Sequence, residues 1–222
     1  MPPGLRLLPL LALAACTAES SSGPPAGPAD SYLRLYQTAK SAGNVTVRVD
    51  GRTVRANVPF GTVADSIGIS AGSHNVSLTP SAAGRSTGSA RVAFQNGHTT
   101  TLVILDSLSI LIPQPLTDTG LVALPGQSRL RVAHFADSTP PLVVTRLQPD
   151  YPDPVNVMFP FAYGAVSPYI PSTPGDWFVY AEDTVAHVTL TVGPIAIPEQ
   201  EQRTVVLIRG DSTGLQAIIL DP

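Results

Sequence analysis

NVPFGTVADSIGISAGSHNVSLTP, residues 57–80, has a worn copy in VMFPFAYGAVSPYIPSTPGDWFVYAED, residues 157–183. Pro59-Phe60 recurs as Pro160-Phe161, Gly61 as Gly164 and Gly72 as Gly175, with a strand-like run after each second glycine. The recurrence extends outward. Leu33-Arg34-Leu35 matches Leu130-Arg131-Val132, and LVILDS (102–107) matches VLIRGDS (206–212). An offset of roughly a hundred residues exceeds the period of any solenoid and implies tandem domains.

Within the first copy, NVTVRVDG (44–51) puts Val45, Val47 and Val49 on one face and Thr46, Arg48 and Asp50 on the other. That period of two marks a half-buried strand. Asp50-Gly51 tolerates positive φ at both central positions of a hairpin turn, so RTVRANV returns antiparallel. Pro59 has no amide donor, and the paired strand ends there or runs along an edge. HNVSLTP turns Val76 and Leu78 inward, Asn96-Gly97 joins two further strands, and LSILIPQP closes the unit. No segment of useful length carries a helical period. Short strands with frequent turn signals predict an all-β chain of two tandem immunoglobulin-like antiparallel β-sandwich domains. The expected spans are 31–116 and 129–222, with a linker over 117–128.

Composition bounds the rest. Apolar residues are 43% and charged residues 13%, with mean hydropathy +0.19, so the chain can bury real cores. Net charge is −3, and the 12 Arg and one Lys are spread along the sequence. No basic stripe argues for nucleic acid. Residues 1–15 carry one charge, Arg6, before the apolar run LLPLLALAA, which is too short to span a bilayer and reads as a signal peptide. Leu13-Ala14-Ala15-Cys16 resembles the bacterial lipobox, whose cysteine becomes the acylated N-terminus. Several acyl chains on Cys16 give stable anchoring where one gives marginal binding. Thr17 after the cysteine favours the outer membrane. Residues 17–30 then form a Ser/Gly/Pro-rich tether reaching at most roughly 45–50 Å at full extension. Cys16 is the only cysteine, so export brings no disulfide.

The run VRVDGRTVRANVPFGTVADSIGISAGSHNVSLTP resembles a bacterial extracytoplasmic family known as domain of unknown function 4397. Val47–Gly51, Asn57–Gly61, Ser66, Ala71-Gly72 and Thr79-Pro80 carry the likeness. In the second copy Arg131-Val132-Ala133-His134 matches the family's opening strand, whereas Gln37 stands near that histidine's place in the first. The resemblance implies secreted or surface-anchored β-domains, often in tandem, and no known reaction.

Candidate chemistry is sparse. Gly84-Arg85-Ser86-Thr87-Gly88 fits G-x-S-x-G, but a nucleophile elbow needs a strand before it and a helix after it. His74, His98, His134 and His187 have no short metal-ligand spacing; His74 and His187 fall on outward faces, and His134 is expected to be structural, its ring bonding loop backbone. Asp150 and Asp153 in QPDYPDP are too few oxygens for calcium. No catalytic residue, metal or cofactor is expected. The aromatic cluster Trp177, Phe178, Tyr180, Tyr163 and Tyr169 marks a candidate ligand or partner surface. Alternation leaves at least one of Trp177 and Phe178 off the core. The expected function is a non-catalytic, lipid-anchored envelope protein that binds or scaffolds in adhesion, matrix contact or envelope assembly, with an envelope protein or glycan as partner. A carbohydrate-binding module is one alternative. A hydrolase using His134 and neighbouring polar groups is another.

Overall fold

The computed structural model describes residues 30–107, 109–117, 123–210 and 214–221. The chain is all-β. The first eight strands are β1 (Ser31–Gln37), β2 (Val45–Val49), β3 (Arg52–Val58), β4 (Val63–Ile69), β5 (Gly72–Pro80), β6 (Gly88–Phe94), β7 (Thr99–Ser107) and β8 (Ile110–Thr117). The next eight are β9 (Ser128–His134), β10 (Leu142–Leu147), β11 (Val155–Phe161), β12 (Ile170–Ser172), β13 (Gly175–Asp183), β14 (Val188–Ile197), β15 (Gln202–Arg209) and β16 (Leu215–Leu220). A single turn of 3-10 helix, Lys40–Ala42, follows β1.

The strands form four sheets of four. Their orders are β4-β1-β7-β8 and β3-β2-β5-β6, then β12-β9-β15-β16 and β11-β10-β13-β14. Adding eight to every label of the first pair yields the second. Local geometry repeats as well. Gly61 and Gly164 both sit at φ near +80°, with values of 75° and 85°. The Gly61 N–H donates to Gln37 O at 2.9 Å and that of Gly164 to His134 O at 2.8 Å. The Asp50-Gly51 turn has positive φ at both residues, as a tight hairpin requires. β3 ends at Val58, one residue before Pro59.

Two of the four sheets are mixed, which corrects the expectation of purely antiparallel ones. β1 runs parallel to β7, and β9 parallel to β15. Parallel neighbours need a long crossover, here supplied by the other sheet of each pair. Strands buried on both faces read as continuous apolar runs. Leu102-Val103-Ile104-Leu105 and Val205-Val206-Leu207-Ile208 are such runs, and all eight residues are buried.

Their alternate side chains enter different cores. Leu102 and Ile104 join Leu33, Leu35, Val45, Val47, Val76 and Leu78 between the first two sheets. Val205 and Leu207 join Leu130, Val132, Leu142, Val144 and Trp177 between the second two. Val103, Leu105, Val206 and Ile208 turn the other way. With Tyr36, Leu116, Ala133, Phe135 and Leu220 they form a third cluster, where the outer faces of β4-β1-β7-β8 and β12-β9-β15-β16 meet. The four sheets therefore stack as layers with three apolar seams. Each fully buried Val, Leu or Ile contributes roughly 1.5–3 kcal/mol relative to exposure, so the shared seam is a substantial part of the fold's stability.

Candidate binding surface

β13 decides where the aromatics go. Its inward residues are Trp177, Val179, Ala181 and Asp183, all buried. Trp177 is fully enclosed, and its indole N–H donates to Ser128 Oγ at 3.3 Å. A ring with no exposure cannot stack on a ligand, so Trp177 is corrected from a candidate contact to a core anchor. Phe178 and Tyr180 lie half-buried on the opposite face, opposite Leu147 and Thr145 of β10. The corresponding positions of β5 carry Asn75 and Ser77, so only the second outer face is aromatic.

Tyr163 and Tyr169 are elsewhere. The Tyr163 hydroxyl donates to Asp106 O at 2.8 Å, and its ring packs on the shared seam. Burial pushes that phenol up to about 12. The Tyr169 ring lies under the Arg131 guanidinium, 4.3 Å from its carbon, with the hydroxyl 3.3 Å from Thr204 Oγ1. Neither shares the face of Phe178 and Tyr180, so the five aromatics do not make one patch.

The structure instead brings together QPDYPDP (148–154) and PSTPGDWFVY (171–180), the stretches in which the second copy departs most from the first. Pro149 of the QPDYPDP loop rests on Gly175, whose missing Cβ would sit 3.0 Å from Pro149 Cγ. Ser172 donates to Asp150, as does Gln148 Nε2 at 3.1 Å. Those hydrogen bonds, that of Ser172 foremost, hold the Asp150 carboxyl below the usual carboxylate range. At the loop's stem Arg146 donates to Gln148 Oε1 at 3.2 Å and to Asn156 O at 3.0 Å. The loop is thus fixed at both ends and presents Tyr151, 50% exposed, beside the exposed Asp153. Periodicity says nothing about loop residues, which is why Tyr151 does not stand out in the sequence.

His134 is buried. The Ala136 N–H donates to its Nδ1 at 3.3 Å, Nε2 lies 3.3 Å from Thr139 Oγ1, and the Pro140 carbonyl accepts from the ring. Nδ1 is an acceptor and Nε2 carries the proton, so no lone pair is left to act as a base. Burial pulls the ring's pKa down to about 4. Gln37 performs the same task in the first copy. Its Oε1 accepts from Ala39 N–H at 2.7 Å, and its Nε2 donates to Ala39 O and Gly43 O at 3.1 Å. A neutral amide replaces a neutral imidazole, donor for donor and acceptor for acceptor.

Asp50, His74 and Ser70 come closer to a catalytic arrangement. His74 lies half-buried, edge-on to Phe94, rather than on an outward face. Its Nδ1 is 2.6 Å from Asp50 Oδ2, and its Nε2 is 3.0 Å from Ser70 O and 3.4 Å from Ser70 Oγ. Nδ1–H donates to the Asp50 carboxylate and so ties the Asp50-Gly51 turn to β5, while the Ser70 hydroxyl lies farther from Nε2 than the Ser70 carbonyl does. The hydrogen bond from His74, then that from Asn75 N–H, lowers the Asp50 pKa.

The remaining candidates have structural explanations. Ser86 pairs with Ile110, and Gly88 lies so close to β8 that a Cβ would stand 1.4 Å from Leu111 O. The glycine serves strand packing, and no helix follows it. Among the described residues no group of three or more His, Cys, Asp or Glu is placed to hold a metal, and no helix is long and apolar enough to cross a membrane. Cys16 and the expected signal peptide, residues 1–15, lie outside the described residues.

A comparison with curated proteins finds no match. The model of the family described as Domain of unknown function (DUF4397) matches residues 31–145, from the first residue of β1 into β10. The match spans just over half of the 222 residues, and the chain belongs to the DUF4397 family.

Proposed function

We propose that this chain is a non-catalytic, lipid-anchored protein of the bacterial envelope, built of two tandem immunoglobulin-like sandwiches, that binds or scaffolds through its second half. Cys16 holds it to the membrane, with the outer membrane favoured, and residues 17–30 lift it clear of the headgroups. The repeated sheet order and the separate inner cores support the two-sandwich reading. The observation that carries the binding reading is the QPDYPDP loop. Arg146, Asp150-Ser172 and Pro149 on Gly175 fix its shape. A preorganised loop binds without a large ordering cost, and exposed tyrosine is a common anchor at such surfaces. Catalysis by His134 has no place in this reading, because both ring nitrogens are engaged by the loop.

Retention of detergent-solubilised envelope components on the immobilised purified chain, where the Cys16 lipid makes no contribution, tests the proposal. Tyr151→Ala is expected to weaken retention by about tenfold or more, the loss typical of an interface anchor. Thr46→Ala, on the polar outer face of the first half, should leave it unchanged. Equal loss in both variants, or no loss in Tyr151→Ala, would overturn the assignment. The half-buried Phe178 and Tyr180 beside Thr145 and Thr191 favour a second reading, glycan binding on the open face. In that case Tyr180→Ala, and not Tyr151→Ala, abolishes signal on a glycan array.

A further inference from the structure

Among the described residues eight strands lie at sheet edges: β3, β4, β6, β8, β11, β12, β14 and β16. An edge strand presents a row of unpaired N–H and C=O groups, a ready template for another strand. β proteins blunt such edges with charge or proline. Seven of the eight comply. β3 has Arg52 and Arg55, β4 has Asp65, and β6 has Arg91. β8 has Pro113 and Pro115, β11 has Pro160, β12 has Pro171, and β14 has Pro194. β16 reads Leu215-Gln216-Ala217-Ile218-Ile219-Leu220 and has neither.

The contrast with β8 is the sharpest. β8 pairs with β7 as β16 pairs with β15, at the same place in the repeated plan. In β8 the prolines at 113 and 115 are two residues apart, so they remove donors from one side of the strand. β16 keeps every N–H, and its Ile219 is 43% exposed. The protection present in one copy is missing from the other.

We infer that β16 is an association edge that pairs antiparallel with β16 of a second copy. Its sequence suits a two-fold arrangement. Leu215 and Ala217 face the core of the second pair of sheets, and Ile218 and Leu220 face the shared seam. A two-fold axis normal to the sheet keeps each face on its own side. With Ala217 on the axis, Ala217 meets the second copy's Ala217, Leu215 covers the second copy's Ile219, and Gln216 meets the second copy's Ile218. The sheet then continues from one molecule into the next, with no charge desolvated and no proline in the ladder. Six residues bury little beyond that isoleucine, so association depends on concentration.

Single-cysteine variants of the full chain test both the association and its register. Directly opposed antiparallel residues stand about 4.5–5.5 Å apart at Cα, within the reach of a disulfide. Ala217→Cys should therefore give a disulfide-linked dimer under mild oxidation. Gln216→Cys should not, because its own counterpart lies diagonally, roughly 8 Å away. Cys16 is common to both variants, and the unaltered chain is the blank. Adding Ile219→Lys to Ala217→Cys should remove the dimer. In sedimentation, the unaltered chain should rise from one copy's mass toward two with increasing concentration. Equal cross-linking at both positions, a constant single-copy mass, or disulfide capture of a different protein by the Ala217→Cys variant would each overturn the inference.

Discussion

Replacing His134 by glutamine should leave the fold standing and remove one component of its acid sensitivity. The ring is fully buried, accepts from Ala136 N–H, and donates into the loop that follows β9. Desolvation holds its pKa near 4 against an ordinary 6.5. The native state therefore prefers the neutral ring. Above pH 6.5 both native and unfolded chains are neutral at this site, and it costs nothing. As pH falls from 6.5 to 4 the unfolded chain binds a proton that the native chain refuses, so stability falls with pH. At about 1.4 kcal/mol per pH unit, the loss reaches about 2 kcal/mol at pH 5 and about 3 kcal/mol once pH is below 4. Glutamine cannot titrate, yet Gln37 shows that an amide satisfies the same backbone pattern. His134→Gln should then lie within about 1.5 kcal/mol of the unaltered chain at pH 8, the worth of one hydrogen bond. By about pH 5 it should have gained about 2 kcal/mol on that chain. His134→Ala leaves the Ala136 N–H unpaired and opens a cavity, costing about 2–4 kcal/mol at pH 8. Urea unfolding between about pH 8 and pH 5 measures all three, and carboxylates common to the variants cancel in the difference. An unchanged pH slope in His134→Gln, or a cost at high pH equal to that of alanine, would refute the reasoning.

Other positions give simpler outcomes. Gly88→Ala forces a methyl into the backbone of β8 at Leu111 and should lower the thermal midpoint sharply, whereas Gly84→Ser has open space for its Cβ and should cost only the strain of a left-handed φ of 77°, about 1–2 kcal/mol. Trp177→Ala should cost about 3–5 kcal/mol in denaturant unfolding, as expected for a large core side chain. Val206→Asp places a carboxylate in the shared seam and should cost several kcal/mol, uncoupling the two halves into separate unfolding transitions by calorimetry. Cys16→Ser should abolish incorporation of an alkyne fatty acid and release the chain from membranes; retained labelling would end the lipid-anchor proposal.

Much of the framework is legible in the sequence, because period-two alternation and turn residues act locally. Val45, Val47, Val76 and Leu78 point inward as their spacing predicts. Pairing partners are less accessible. Nothing local states that β1 lies parallel to β7, since the contact joins residues far apart in the chain. The third seam had a signal all the same: LVIL and VVLI break the alternation, as strands buried on both faces must. Trp177 and Phe178 show a different limit. Alternation says that they part company, but Ser128, which accepts the indole N–H, lies across the core and helps fix which one goes in. That the His134 ring bonds loop backbone is expected from the sequence, but the particular amide, two residues away, is visible only in the structure, where Gln37 makes the same bond in the first copy. Tyr151 sits in a loop, where no periodicity exists. The divergence of QPDYPDP from the first copy points to the loop, but the setting of Tyr151 comes from Arg146, Ser172 and Gly175, which no local pattern ties to it.

Site-specific photo-cross-linking in intact cells tests the binding assignment most directly. A photoreactive residue replaces Tyr151 in one strain and Thr46 in another, and the adducts are compared after brief illumination. Discrete adducts at position 151 and none at position 46 are expected. Adducts at position 46 alone, or the same collisional background at both positions, would contradict the placement of the binding surface on the QPDYPDP loop.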